Sequence, residues 1–338
     1  MTTINAKLIY EKLKIVGLTR AQVRKLLPDW WSPEIEKQPD GFAEFCLFLS
    51  RRLSFDLPSL MKGNIVVKQA AASVAYKHRV DATPESLQAS TCIATAVAQG
   101  VISAMTRPYG NMNHTPNSFS KYVRDIGQGQ ISFLSVLNAC WELGIPVIPL
   151  PNVPVGIRKM DGAVIKLNDR PAIIISKKNS SRAWLTFIIA HELGHIANGH
   201  LDRDGSIMDV ALQEKATFET ESSNDVQEYE ANSFAFSMLG GEQVTSVINS
   251  WPDRISAADI AIRSREASGT IGVESGHFAL RYAFRTKRWP DAMNALSFLS
   301  EDADPESEIR SVLARSLDFG LISDDIKEYV CQITGIEA

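Results

Sequence analysis

No window of the 338-residue chain approaches about 18 consecutive apolar residues, which excludes a bilayer-spanning helix. Met1 to Tyr10 lacks the basic flank, long apolar run and small-residue cleavage site of a signal peptide, so a cytoplasmic protein is expected. Cysteine is scarce. Cys46, Cys92, Cys140 and Cys331 are scattered without a CxxC pair, which excludes a dense disulfide framework. Cys46 and Cys140 fall in apolar, helical-looking runs and read as buried thiols. Charge is nearly balanced at -4, so no global field draws the molecule to nucleic acid or an anionic membrane. Repeats and low-complexity tracts are absent, and a chain of this length can bury a sizeable core.

What is present is mostly helical patterning. Thr19 is placed to cap a helix that Pro28 stops, and Phe42, Phe45, Leu49 and Leu53 recur at helical spacing. Residues 1–79 therefore read as a helical domain of helix-turn-helix size, and 80–143 as a helical connecting region broken by a loop at 107–117. From Gly144 the pattern changes. Ile145 to Ile148 is strand-like, and Ala163–Leu167 and Pro171–Ser176 flank an Asn168-Asp169-Arg170 turn, giving a hairpin. An exposed edge on the second of these strands would dock an extended peptide. Residues 246–338 return to helix as a C-terminal region suited to sensing or regulation. Between Leu201 and Ala235 nine acids face two bases, and 201–224 reads as a mobile acidic loop.

Chemistry is concentrated at His191-Glu192-Leu193-Gly194-His195, an HExxH motif in a helix expected from Ser180 or Ser181 to Gly199. Imidazoles four residues apart share a helical face and can share a metal, with the intervening Glu192 directed at a water on it. The flanking Leu185 to Ala190 run makes this helix apolar on every side, and buried histidines are costly unless paired or metal-bound. A catalytic zinc site takes three protein ligands and an open position. His200 misses the HExxHxxGxxH spacing by one residue and reads as a bystander. Glu228 is the better third ligand. In Glu228-Tyr229-Glu230-Ala231-Asn232 it lies one turn from Asn232, which would fix a histidine tautomer, while Glu230 faces elsewhere and competes weakly. Glu192 would act as general base, with Tyr229 and Tyr109 as candidates for stabilising the oxyanion.

HELGH followed by Glu228-Tyr229-Glu230-Ala231-Asn232-Ser233-Phe234-Ala235 resembles the ImmA/IrrE-type zinc metallopeptidase family, and the likeness extends over roughly 135–245. The Leu27-Pro28-Asp29-Trp30-Trp31 segment is similar to the helical N-terminal part of longer members. The resemblance implies an α+β fold, mostly helical, whose zincin-like core at 144–245 combines a small sheet with the HExxH helix. It implies Zn2+ on His191, His195 and Glu228 with Glu192 as base, in a gluzincin-like arrangement. It also implies a helix-turn-helix repressor as substrate, whose cleavage derepresses stress, mobile-element or anti-phage defence genes.

Two regulatory features are expected. Cys92, at a probable helix start where a thiol pKa falls, is the nominee to block zinc's open position. Arg281, Arg285, Lys287 and Arg288 interleave with Tyr282, Phe284 and Trp289, as in single-stranded DNA binders, making such DNA a candidate activator. The rival class is a non-hydrolysing regulatory protein that binds a repressor or DNA, against which an intact Glu192 argues.

Overall fold

The computed structural model describes residues 4–68, 74–77, 84–176, 178, 180–201, 204–209, 223–299 and 304–337. Among these the chain is mostly helical around one small mixed sheet, an α+β arrangement. No described helix is long and apolar enough to cross a membrane.

The N-terminal helices are α1 (Ala6–Leu13), α2 (Arg20–Arg24), α3 (Pro39–Arg52) and α4 (Leu57–Met61). Thr19 and Gln22 form a reciprocal capping box that starts α2, satisfying N–H groups otherwise orphaned at its first turn. Arg52, at the end of α3, is buried, and its guanidinium donates to the Asp325 carboxylate, the Leu26 carbonyl and Glu328. These contacts bind the N-terminal helices to the last helix, α15 (Asp324–Thr334).

Three further helices precede the metal-motif helix: α5 (Pro84–Ser103), α6 (Pro116–Ile126) and α7 (Phe133–Glu142). The sheet holds β1 (Val74–Lys77), β2 (Val147–Pro149), β3 (Gly162–Leu167), β4 (Arg170–Ile175) and β5 (Gly205–Asp209), in the order β1-β5-β3-β4-β2. β3 and β4 form the hairpin. Asn168 and Asp169 both take positive φ, the two-residue turn whose twist matches the strands, and the Asp204 carboxylate accepts from both their N–H groups.

Two expectations are corrected here. β4 offers no docking edge over Ile173–Ile175, which pair with β3 on one side and β2 on the other. Nor is the acidic stretch simply a loop. Gly205–Asp209 forms β5, buried throughout, antiparallel to β3 and parallel to β1. Residues 202–203 and 210–222 of that stretch lie outside the described residues.

The HExxH segment forms α8 (Arg182–Ala197), which packs on β3, α7 and α9 (Ser223–Met238). Ser181 caps it through the Trp184 N–H, and Gly199 leaves it in left-handed conformation. From Ala183 to His195 every residue is buried, because helices and sheet surround α8. Six helices follow α9: α10 (Gly241–Asn249), α11 (Ala257–Ile271), α12 (Gly276–Thr286), α13 (Trp289–Leu299), α14 (Pro305–Arg315) and α15. Arg182 pairs with Glu308, fastening the start of α8 to α14. The buried apolar side chains form a connected cluster from Ala6 to Ile336.

Candidate metal centre

Small residues bring α8 and α9 together. A Cβ at Gly194 would lie 2.7 Å from the Ala231 Cα, so only glycine permits this backbone approach. The crossing sets Glu228 and Asn232, one turn apart on α9, against the two motif histidines.

The Nε2 atoms of His191 and His195 stand 3.1 Å apart. Glu228 places Oε2 3.5 Å from His191 Nε2 and Oε1 3.5 Å from His195 Nε2. A fourth donor completes the group: Asp209 Oδ2, at the end of β5, lies 3.6 and 3.7 Å from the same two nitrogens. All four ligand atoms fall within 4.8 Å of one another. Metal–ligand bonds of about 2.0–2.1 Å at tetrahedral angles give donor–donor edges of about 3.4 Å. The donor spacings of 3.1 to 3.7 Å bracket that value. Asp209 Oδ2 is also buried with no hydrogen-bond partner among the described residues, a cost that a cation would remove. The group can therefore hold a metal ion.

Sequence reasoning missed Asp209, which it counted as one acid of a solvated loop. Its apolar neighbours in sequence, Ile207, Met208 and Val210, are the local hint of a buried strand.

The supporting hydrogen bonds fix the histidine tautomers. Asn232 Oδ1 lies 3.1 Å from His191 Nδ1, which therefore donates and leaves Nε2 as a lone-pair donor. His195 Nδ1 is 2.8 Å from His200 Nδ1, and His200 Nε2 is 2.9 Å from Glu230 Oε2. With His195 ligating through Nε2, its Nδ1–H donates to His200, whose Nε2–H donates to Glu230. His200 and Glu230 thus stand outside the ligand group, yet His200 is not a bystander. It hydrogen-bonds His195 on the side away from the clustered donors. His200→Ala and Asn232→Ala should each weaken metal binding by about 10–100-fold without emptying the site at excess metal, measured by competition with a chromophoric chelator.

Glu192 is fully buried, and neither of its carboxylate oxygens has a hydrogen-bond partner among the described residues. It faces Gly162 on β3, where any Cβ would collide with Oε1. Gly162 is also the register partner of Asp209, so Glu192 and Asp209 share one end of the β3–β5 ladder. Burial, and then the Asp209 charge, push the Glu192 pKa well above the carboxylate range. Burial and the Glu228 charge likewise raise Asp209 to about 6. For His191, burial opposes protonation, but the Asp209 and Glu228 carboxylates outweigh it and raise its pKa.

These shifts share a sign in the metal-free protein. Each group has a higher pKa folded than unfolded, so its contribution is present below the unfolded value and lost as pH rises through the folded one. The metal-free protein should therefore melt at lower temperature at pH 8 than at pH 6. The metal-loaded protein should not, because ligation needs the deprotonated forms. Thermal melts with and without chelator at both pH values check this; a metal-free melting temperature that rises with pH would contradict it.

None of the other candidates is one of the four clustered donors. Cys92 sits in the interior of α5 rather than at a helix start, and burial pushes its pKa up to about 12, so it is no thiolate. No cysteine joins the ligand group among the described residues. The Tyr109 hydroxyl accepts from the Met112 N–H and lines a cavity of about 390 Å³ with Lys166, Ile196 and Gly199. Tyr229 is exposed on α9.

The basic, aromatic segment on α12 and α13 is spent internally. Phe284 and Tyr282 are buried, Arg281 lies 4.2 Å over the Phe236 ring, Arg285 caps the Trp251 carbonyl, and Arg288 pairs with Asp291. Burial closes two of its three rings, Tyr282 and Phe284, to stacking bases.

The chain matches no family model and no curated protein.

Proposed function

We propose that the chain is a zinc-dependent endopeptidase. The observation that carries this is the convergence of His191, His195 and Glu228, with N/O donors at tetrahedral spacing, beside a buried Glu192 that has no other employment. Two imidazoles and a carboxylate are a donor set suited to catalytic zinc. When bound, the metal would supply a Lewis acid that activates water and polarises a carbonyl.

The protein's own groups do the rest. Peptide hydrolysis adds a water oxygen to the carbonyl carbon and moves a proton to the departing nitrogen as the C–N bond breaks. Glu192 takes that proton at its carboxylate and delivers it to the amine. Burial and the Asp209 charge raise its pKa, which strengthens the carboxylate as a base toward that proton. Burial of the whole α8 face excludes stray water from the exchange. Gly162 leaves the room that this carboxylate occupies.

The substrate class follows from the likeness of the HELGH and EYEANSFA segments to ImmA/IrrE-type peptidases. It is a helix-turn-helix repressor, cleaved to derepress stress, mobile-element or anti-phage defence genes. The test is co-expression with a helix-turn-helix protein encoded beside this chain, comparing wild type with Glu192→Gln, with and without single-stranded DNA. Cleavage that persists in Glu192→Gln would end the mechanism. A second reading, a non-hydrolysing regulator that binds a repressor or DNA, has one observation in its favour. With Asp209 a bound metal would have four protein donors, the closed coordination of a structural site.

A further inference from the structure

Asp209 conflicts with a hydrolytic metal unless it can leave, and the strand that carries it shows what its place is for. β5 pairs antiparallel with β3, from Lys166 opposite Gly205 to Gly162 opposite Asp209. That is the geometry in which an extended peptide adds to a strand edge by main-chain hydrogen bonds. β3's other edge is already taken by β4, so β5 covers the side of β3 that leads to the metal. The ladder ends with the Asp209 carboxylate on the two ligand nitrogens and beside Glu192, where a scissile carbonyl and the attacking water would have to sit.

We propose that Gly205–Asp209 is a resident occupant of the peptide groove: it pairs with β3 as a substrate strand would, and its terminal carboxylate closes the metal's fourth position. The proposal rests on the peptidase reading and specifies its binding mode. Substrate docks antiparallel to β3 after β5 withdraws. The carboxylate differs from a peptide carbonyl in the respect that matters, since it offers no C–N bond to break. β1 has β5 as its strand partner, so withdrawal of β5 also releases β1.

The protein loaded with Co2+ in place of the native metal tests this, with acetohydroxamate as the probe of an open coordination position. Asp209→Asn should bind acetohydroxamate at least about tenfold more tightly than wild type, read from the visible Co2+ bands. This is the factor expected when about a tenth of the wild-type population is open. In wild type, saturating acetohydroxamate should speed amide hydrogen exchange at 205–209, a readout that does not depend on the variant folding well. Equal affinity in the two proteins, or saturation of wild type with unchanged exchange at 205–209, would overturn the proposal. Opening of the cobalt site in Asp209→Asn without cleavage of any repressor leaves the occupancy standing and removes the peptidase reading. Glu192-dependent cleavage with equal hydroxamate affinities does the reverse.

Discussion

Glu192→Gln is expected to retain one metal per chain while lowering cleavage by about 10²–10⁴-fold, the range carried by a positioned general base. The substitution preserves shape in a fully buried position, and Glu192 contributes no atom to the ligand group, so metal content should not move. Stability should move the other way from activity. Glutamine removes an acid that burial and the Asp209 charge disfavour in ionised form, and its amide can donate where the carboxylate could not. The metal-free variant should therefore melt above wild type at pH 8. Metal analysis, turnover of a repressor substrate and thermal melts on the same preparation decide it. A variant that loses metal would show that Glu192 holds the site together rather than moving a proton.

The second large effect separates two glutamates two residues apart. Glu228→Ala should weaken metal binding beyond the 10–100-fold that a merely orienting partner carries, because both of its oxygens face ligand nitrogens at 3.5 Å. Glu230→Ala should retain the metal, since Glu230 is half exposed and reaches the site only through His200. Its effect should stay near that of His200→Ala, and the double variant should be no worse than either alone, because the two act along one chain of hydrogen bonds. Metal retained by Glu228→Ala at stoichiometric supply would transfer the third ligand to Asp209.

How much of this was legible depended on whether a residue's role is local. HExxH and ExxxN specify helical faces, so i,i+4 spacing sufficed to bring out His191, His195, Glu228 and Asn232. The Asn168-Asp169 turn reveals its hairpin through residues that accept positive φ. Asp209 was illegible because its function is conferred by pairing with β3, some forty positions earlier, and acids on either side of Ile207 and Met208 disguise the strand. Cys92 misled for the opposite reason: a helix-start reading needed the true start of α5, eight residues before it. The cations and rings of 281–289 carry the composition of a nucleic-acid site, yet Phe284 packs on Phe187 and Phe236, Tyr282 on Trp251, and Arg281 over Phe236.

Arg52 gives the molecule an order of assembly. Its guanidinium reaches Asp325 across 273 positions, and Tyr329 returns a hydrogen bond to the Arg52 carbonyl across 277. Contacts so distant in sequence close late in folding. Until the last helix has left the ribosome, the Arg52 guanidinium lacks the Asp325 and Glu328 carboxylates that hold it. A chain cut short before α15 would keep that defect permanently, with Phe45 and Phe48 at its margin. Proteolysis near the C-terminus should thus be felt first at the N-terminal helices, the end of the chain farthest from the cut in sequence.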